Sequence, residues 1–213
     1  MTLESRLAGF GAVPFSLGAV LPLLADYRRP NDKVAEWLRQ GVLVPIKRGL
    51  YITGANWRKE PLSLPLVANR LYGPSCVSLE YALSWHGLIP EQVHEVTSVC
   101  VRRGRVMENA LGRFSYYSIP SELFPIGIQL EQHGNSIAFL MAGPEKALCD
   151  KVMLTRHLQA VSRSSMREFL FEDMRMDPEA LDNFDLDIVD QYVASGHKPR
   201  QMRALRRVLE ELR

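Results

Sequence analysis

Apolar residues recur at helical spacing near the start of the chain, where Leu17, Val20, Leu21 and Leu24 make one stripe over 15–27. Ser16 stands where an N-cap belongs. Pro22 predicts a break between two short helices, because an interior proline removes a hydrogen bond and crowds the preceding turn. Next, RRPNDKVAEWLRQG sets Val34, Trp37 and Leu38 at i, i+3 and i+4, with Asn31 or Asp32 able to cap the start. Gly41 is positioned to end that helix in the left-handed conformation. VLVPIKRGLYIT then reads as two short strands, 42–46 and 50–53, joined at Lys47-Arg48-Gly49. Pro45 falls inside the first strand, where it cannot donate a ladder bond, so the length of that strand is open.

Residues 54–65 (GANWRKEPLSLP) carry glycine, prolines and mixed charge, and read as a linker at a domain boundary. Beyond them 66–72 reads as a helix broken by Gly-Pro-Ser at 73–75. A second helix is expected over 77–86, with Leu79, Ala82 and Leu83 inward and Gly87 as its stop. Two β-rich runs, VTSVCV and GRFSYYSI, flank RRGRVMENAL. IGIQLEQHGNSIAFLMA reads as a hairpin with His133-Gly134-Asn135 at its turn. Gly143-Pro144-Glu145 opens another helix, with proline at its first position and an acid in its first turn. The remainder, 162–213, reads as helical with breaks at Asp177-Pro178 and near 196–199.

The pattern predicts an α+β protein of two parts. A helical unit followed by a tight basic hairpin over 1–60 has the outline of a winged helix-turn-helix. Residues 61–213 make a mixed α+β domain with antiparallel strands and a helical C-terminal tail. Composition agrees with a globular chain, at 46% hydrophobic and 23% charged residues. No apolar run reaches the roughly 18–20 residues that cross a bilayer, and MTLESRLAGF lacks the basic and apolar regions of a secretory signal, so a cytoplasmic protein is expected. Cys76, Cys100 and Cys149 are far apart without a C-x-x-C pair, and the histidines show no ligand spacing. Neither disulfide, metal nor other cofactor is expected.

Net charge is +2, but it is unevenly spread. Residues 1–60 hold nine Lys or Arg against five acids, 61–190 eleven against seventeen, and 191–213 six against two. Basic ends around an acidic middle point a polyanion toward the ends. In the first unit Arg28, Arg29, Asn31, Lys33 and Arg39 can supply phosphate and base contacts from the helix, and Lys47 and Arg48 from the hairpin tip. A small packing module with solvated charges would give the same pattern. At the far end, PRQMRALRRVLEEL sets Met202, Leu205, Leu209 and Leu212 on one stripe. Arg200, Arg203 and Arg207 lie on another face, as a partner surface, a nucleic-acid surface or simply a solvated one.

Catalysis finds little support. A metal-dependent nuclease needs Asp/Glu-x-Lys on a strand, and that pattern occurs nowhere in the chain. A nucleotidyltransferase needs Gly-Ser ahead of Asp-x-Asp. The only Asp-x-Asp, at 185–187, sits in an acid-rich helical region with no Gly-Ser before it. P-loop, nucleophile-elbow, zincin and dinucleotide motifs are also missing.

The stretch VANRLYGPSCVSLEYALSWHGLIPEQVHEVTSV (67–99), with GRFSYYSI (112–119), GPEKALCDKV (143–152) and FLFEDMRMDPEALDNFDL (169–186), resembles the AbiEi-type antitoxin family. GVLVPIKRGLYI (41–52) is similar to the wing of the same family. The resemblance implies the antitoxin of a type IV toxin–antitoxin system. Its winged helix would repress its own promoter at an inverted repeat of double-stranded DNA. Its second domain would oppose a nucleotidyltransferase-like toxin, functionally if not physically. Members without an evident toxin also occur, so a stand-alone regulator or interaction module is the alternative. By the same resemblance residues 28–39 match the recognition-helix region and Lys47-Arg48-Gly49 the wing. Gly73, Pro74, Gly87 and Pro90 look like backbone-shaping residues, and Glu80, Tyr81 and Glu145 like polar buttresses or partner contacts.

Overall fold

The computed structural model describes residues 7, 9–58, 60–133 and 137–213. It is a mixed α+β fold with two sheets. The expected turn residues Gly134 and Asn135 lie outside the described residues, as do residues 1–6 and Ala8 of the N-terminal segment. Among the described residues no helix is long and apolar enough to cross a membrane.

The N-terminal unit runs β1 (Phe15–Ser16), α1 (Leu17–Val20), a 3-10 turn (Leu21–Leu24), α2 (Pro30–Arg39), β2 (Leu43–Lys47) and β3 (Leu50–Thr53). Pro22 breaks the first helix as expected, by tightening it into the 3-10 turn. Ser16 does occupy the N-cap position, but its side chain makes no capping bond. The start of α2 differs from expectation. Pro30 opens the helix with Arg29 as its uncapped N-cap residue, since proline's fixed φ suits a first turn, and Asp32 falls inside that turn. Gly41 takes φ +69°, and the amides of Gly41 and Val42 close on the carbonyls of Leu38 and Trp37, a Schellman ending.

β2 and β3 form an antiparallel hairpin, and the sheet order is β1-β3-β2. Pro45 is accommodated because β2 is an edge strand, and the register shifts between Pro45 and Lys47. Both faces of this hairpin are covered. Leu43 joins Leu7, Phe15, Val20, Leu24, Val34, Trp37 and Val42 in a small core beneath the helices. Ile46 and Ile52, with Val44 and Leu50 packed alongside, belong instead to the large core of the rest of the chain. Asn109 Nδ2 donates to Ile46 O at 3.0 Å across the same seam.

Gly54, just after β3, has its amide on Val42 O at 2.8 Å. A β-carbon there would collide with the carbonyl oxygen of Gly41. Gly54→Ala is therefore expected to destabilise the protein by about 1–3 kcal/mol, since backbone on both sides has no room to yield. Urea unfolding checks this, and a midpoint equal to that of the wild type would contradict it.

The second sheet has six strands in the order β6-β7-β5-β4-β9-β8, with β4 (Ser75–Val77), β5 (Val96–Cys100), β6 (Arg105–Asn109), β7 (Gly112–Ser118), β8 (Ile128–His133) and β9 (Ile137–Ala142). It is mixed rather than antiparallel throughout. The β6–β7 and β8–β9 hairpins and the β4–β5 pair are antiparallel, whereas β5–β7 and β4–β9 run parallel. Hairpin β6–β7 produces the first parallel pair by folding its second strand back between β5 and β6.

Helix α3 (Leu64–Leu71) starts two residues earlier than expected, inside the proline-containing segment, with Ser63 Oγ accepting from Leu66 N at 3.3 Å. The expected helix over 77–86 is shorter. Val77 ends strand β4, and α4 (Leu79–Trp85) follows from Leu79 at φ +60°, a left-handed backbone held under full burial. α5 (Pro144–Leu154) starts as expected on Gly143 and Pro144. The tail holds α6 (Arg163–Glu168), a π-helical turn (Phe169–Asp173), a 3-10 turn (Pro178–Leu181), α7 (Leu186–Ala194) and α8 (Pro199–Leu212). Asp185 of the Asp-x-Asp caps α7, its carboxylate accepting from Asp187 N at 2.9 Å. Tyr116 donates to Ala68 O of α3, while its neighbour Tyr117 turns to a cleft shared with Lys151 of α5. α3 and α5 thus cover opposite faces of the sheet.

Candidate nucleic-acid interface

Arg28, Arg29, Asn31 and Arg39 are all exposed on or beside α2. Arg28, Arg29, Lys33 and Arg39 line one shallow depression of about 460 Å³ with Tyr27, Asp32 and Glu36. The helix presents them because Val34 and Trp37 take its opposite face into the small core. Asn31 lies on the exposed first turn, one residue past Pro30.

Two of these cations already have partners. Arg29 lies 3.7 Å from Asp32, both largely solvated, so that pair contributes little. Lys33 Nζ donates to Glu36 at 2.8 Å and stands about 6 Å from the Tyr27 and Trp37 rings (6.0 and 5.9 Å). The same ammonium holds the Glu36 carboxyl below the usual range. A phosphate or base that engages Lys33 must compete with Glu36.

At the hairpin the two tip residues diverge. Arg48 is exposed and has no ion pair among the described residues. Lys47 instead donates from Nζ to Leu71 O at 2.7 Å, at the end of α3. Its ammonium therefore satisfies a helix-terminal carbonyl and ties the hairpin to the second unit.

Arg200, Arg203 and Arg207 are exposed on α8, whose Met202, Ala204, Leu205, Val208 and Leu209 are buried. Leu212, expected on the buried stripe, is half-buried at the last position of α8. α8 packs on α5, α6 and α7, across the sheet from α3. The structure therefore brings Arg28, Arg29, Lys33 and Arg39 together at α2, whereas the hairpin-tip residues lie outside that depression, Lys47 against the end of α3, and the C-terminal arginines are on α8.

Two features of the second unit escaped the sequence reading. The first is a fully buried polar cluster: Lys146 and Asp150 lie 3.3 Å apart one turn along α5, both with no exposure. Lys146 Nζ also donates to Leu123 O (3.1 Å) and Tyr192 Oη (3.0 Å), while Asp150 accepts from Tyr192 (2.6 Å) and Ser78 (2.7 Å). Burial raises Asp150 above the ordinary carboxylate range, against the pull of Lys146 and the two hydroxyls. The cluster knits α5 to α7 and to the β4–α4 junction and has no access to solvent. Its signal was Lys-x-x-x-Asp inside the apolar segment PEKALCDKV.

The second feature is a cleft of about 630 Å³ bearing Glu80, Glu91, Glu95 and Lys151. Its acids are largely balanced within the chain. Glu80 meets Lys151 at 2.5 Å, Glu91 pairs with Arg175, and Glu95 with Arg113 and Ser115. Glu145 accepts from Asp185 N at 3.0 Å, so Glu80 and Glu145 both act as buttresses between elements. The three cysteines are unpaired and buried, and desolvation pushes Cys76 up to about 12. Among the described residues no group of three His, Cys, Asp or Glu side chains is placed to hold a metal ion.

No protein-family model matches the chain, and no curated protein matches it.

Proposed function

We propose that this chain is a DNA-binding transcriptional repressor of the AbiEi antitoxin type, with a winged helix-turn-helix at its N-terminus and a second domain that opposes a nucleotidyltransferase-like toxin. The observation that carries the DNA reading is the order of elements together with exposed cations on the helix before the hairpin and at the hairpin tip. Strand β1, helices α1 and α2 and the β2–β3 hairpin follow one another with sheet order β1-β3-β2. Arg28, Arg29 and Arg39 surround α2, and Arg48 stands at the hairpin tip. In a winged helix the helix before the hairpin enters the major groove, and the hairpin tip reaches the neighbouring backbone.

The chemistry divides accordingly. Arg28, Arg29, Arg39 and Arg48 release counterions from phosphates, which supplies affinity and orientation without sequence information. Asn31, on the first turn of α2, can pair two ways with an adenine edge, and Lys33 can reach a guanine once it leaves Glu36. Repression follows from occupancy: two copies on an inverted repeat at the protein's own promoter exclude the polymerase, with no catalytic step. The antitoxin part rests on the sequence resemblance over 67–99 and 143–152. A stand-alone regulator would use the same N-terminal unit.

The deciding measurement is binding of the purified protein to the duplex upstream of its own gene, against a scrambled duplex, across a salt series. Tight, salt-sensitive binding that prefers the native duplex is expected. Equal binding to both, or none, would remove the repressor reading and turn the search to a protein partner.

A further inference from the structure

The β5–β6 turn of the second unit carries Arg102, Arg103 and Gly104 and leads into β6 at Arg105, and all three arginines are exposed. This turn lies beside the hairpin of the first unit. Lys47 Nζ rests on Leu71 O, the next residue, Tyr72, donates to Arg103 O at 3.1 Å, and the Arg105 guanidinium stands 5.9 Å from the Tyr72 ring. A depression of about 410 Å³ lined by Tyr72, Arg103, Gly104 and Arg105 opens there. A second, of about 570 Å³, continues from Arg105 to the exposed Arg156.

Three properties set this surface apart from ordinary solvated charge. No acidic residue lines either depression, in contrast to the cleft at Glu80, which Glu80, Glu91, Glu95 and Asp173 all line. None of Arg102, Arg103, Arg105 and Arg156 has an ion pair among the described residues. The turn also runs close against the neighbouring strand: a β-carbon at Gly104 would stand 2.9 Å from Tyr116 O, so a larger residue there would have to push the backbone of the turn off the sheet.

We infer that the Arg102–Arg105 turn, with Arg156, is a second contact with duplex DNA that continues the phosphate-binding surface beyond the hairpin. The inference rests on the DNA reading of the N-terminal unit. The arginines are strung along open, shallow surface and do not converge on one enclosed point, which suits a phosphate backbone passing over them better than a small anion. An acidic protein would need apolar anchors at the centre of its footprint. The first depression offers only Tyr72 beside its arginines, and although exposed Val106 and Tyr117 line the second, they sit at the side of an arginine run that meets no acid in either depression, which favours the phosphate backbone.

The test uses the full chain and the duplex upstream of its own gene. Wild type, Arg103→Ala/Arg105→Ala and Arg48→Ala are compared across a salt series. The double variant is expected to lower the slope of log K against log salt by about 1.8 units and to bind roughly 60-fold more weakly at 0.1 M salt, with native and scrambled duplexes affected alike. Wild-type slope and affinity in the double variant, with Arg48→Ala weakened, would overturn this inference and leave the N-terminal reading standing. Failure of the wild type to bind any duplex would overturn both. An unchanged DNA slope with lost binding to an acidic protein partner would also overturn the DNA assignment of the turn.

Discussion

Lys146→Met is expected to remove about 3–5 kcal/mol of stability, because it leaves the Asp150 carboxylate fully buried without its cation. That is a large share of the roughly 5–15 kcal/mol that holds a typical domain folded. Tyr192 and Ser78 still donate to Asp150, so the group does not lose every partner, but neither donor carries charge. The cheapest relief is protonation. Burial already raises Asp150, and removing Lys146 raises it further, so the folded form binds its proton more tightly than the unfolded chain does. The stability this supplies is present below the ordinary aspartate value of about 4 and is lost as pH rises through the raised folded value. The variant should thus fall furthest behind the wild type at about pH 7 and recover part of the difference near pH 5. Lys146→Met/Asp150→Asn, which removes both charges and keeps an acceptor for Tyr192, should be more stable than the single variant at neutral pH. Urea unfolding followed by tryptophan fluorescence reads all three. A single variant within about 1 kcal/mol of wild type at both pH values would show that the pair does not hold α5 to α7.

Reversing charge at Arg28, Arg39 and Arg48 together should all but abolish duplex binding. Removing three phosphate contacts alone lowers the salt slope by about 2.7 units, roughly a 500-fold loss at 0.1 M salt, and the introduced carboxylates repel the backbone further. Folding should be untouched, since all three side chains are exposed and none has an ion pair among the described residues. Asn31→Ala in the same assay should behave differently. Its slope stays at the wild-type value, while discrimination at one base pair falls by about 1–3 kcal/mol. A triple variant that binds like the wild type would place the interface elsewhere. An Asn31→Ala variant with unchanged base preference would show that the first turn of α2 does not read sequence.

The helix over α2, the hairpin with Lys47-Arg48-Gly49 at its tip and the later breaks near 177 and 196 were legible from spacing and from proline and glycine placement. The strand β4 was not. Three residues after Gly73-Pro74 give no period, and after the extended Ser78 the chain turns into α4 at Leu79 through a left-handed backbone that the surrounding packing sustains. Strand β6 was hidden for the opposite reason: RVMEN alternates, but both faces are partly open at the sheet edge, so its polarity resembles that of a loop. The hairpin's apolar residues announced a strand pair without saying what each face meets. The division of Leu43 to one core and Ile46 and Ile52 to another exists only in three dimensions. At the candidate interface, the sequence identified the cations but not the groups that compete for them. Glu36 three residues from Lys33 was readable as a helical neighbour, whereas the Leu71 carbonyl that holds Lys47 is 24 positions away.

Because Ile46 and Ile52 are pressed into the body of the protein, the hairpin has no independent swing. A DNA reader on a tether accommodates half-sites at many separations; under the proposed DNA reading, this hairpin would carry the rest of the protein with it at a set angle to the helix axis. Two copies on the proposed inverted repeat would then approach each other along a path dictated by the DNA. Inserting half a helical turn, about 5 base pairs, between the half-sites would rotate one body to the opposite side of the duplex. Spacing, as much as base identity, would thus define the sites this protein recognises.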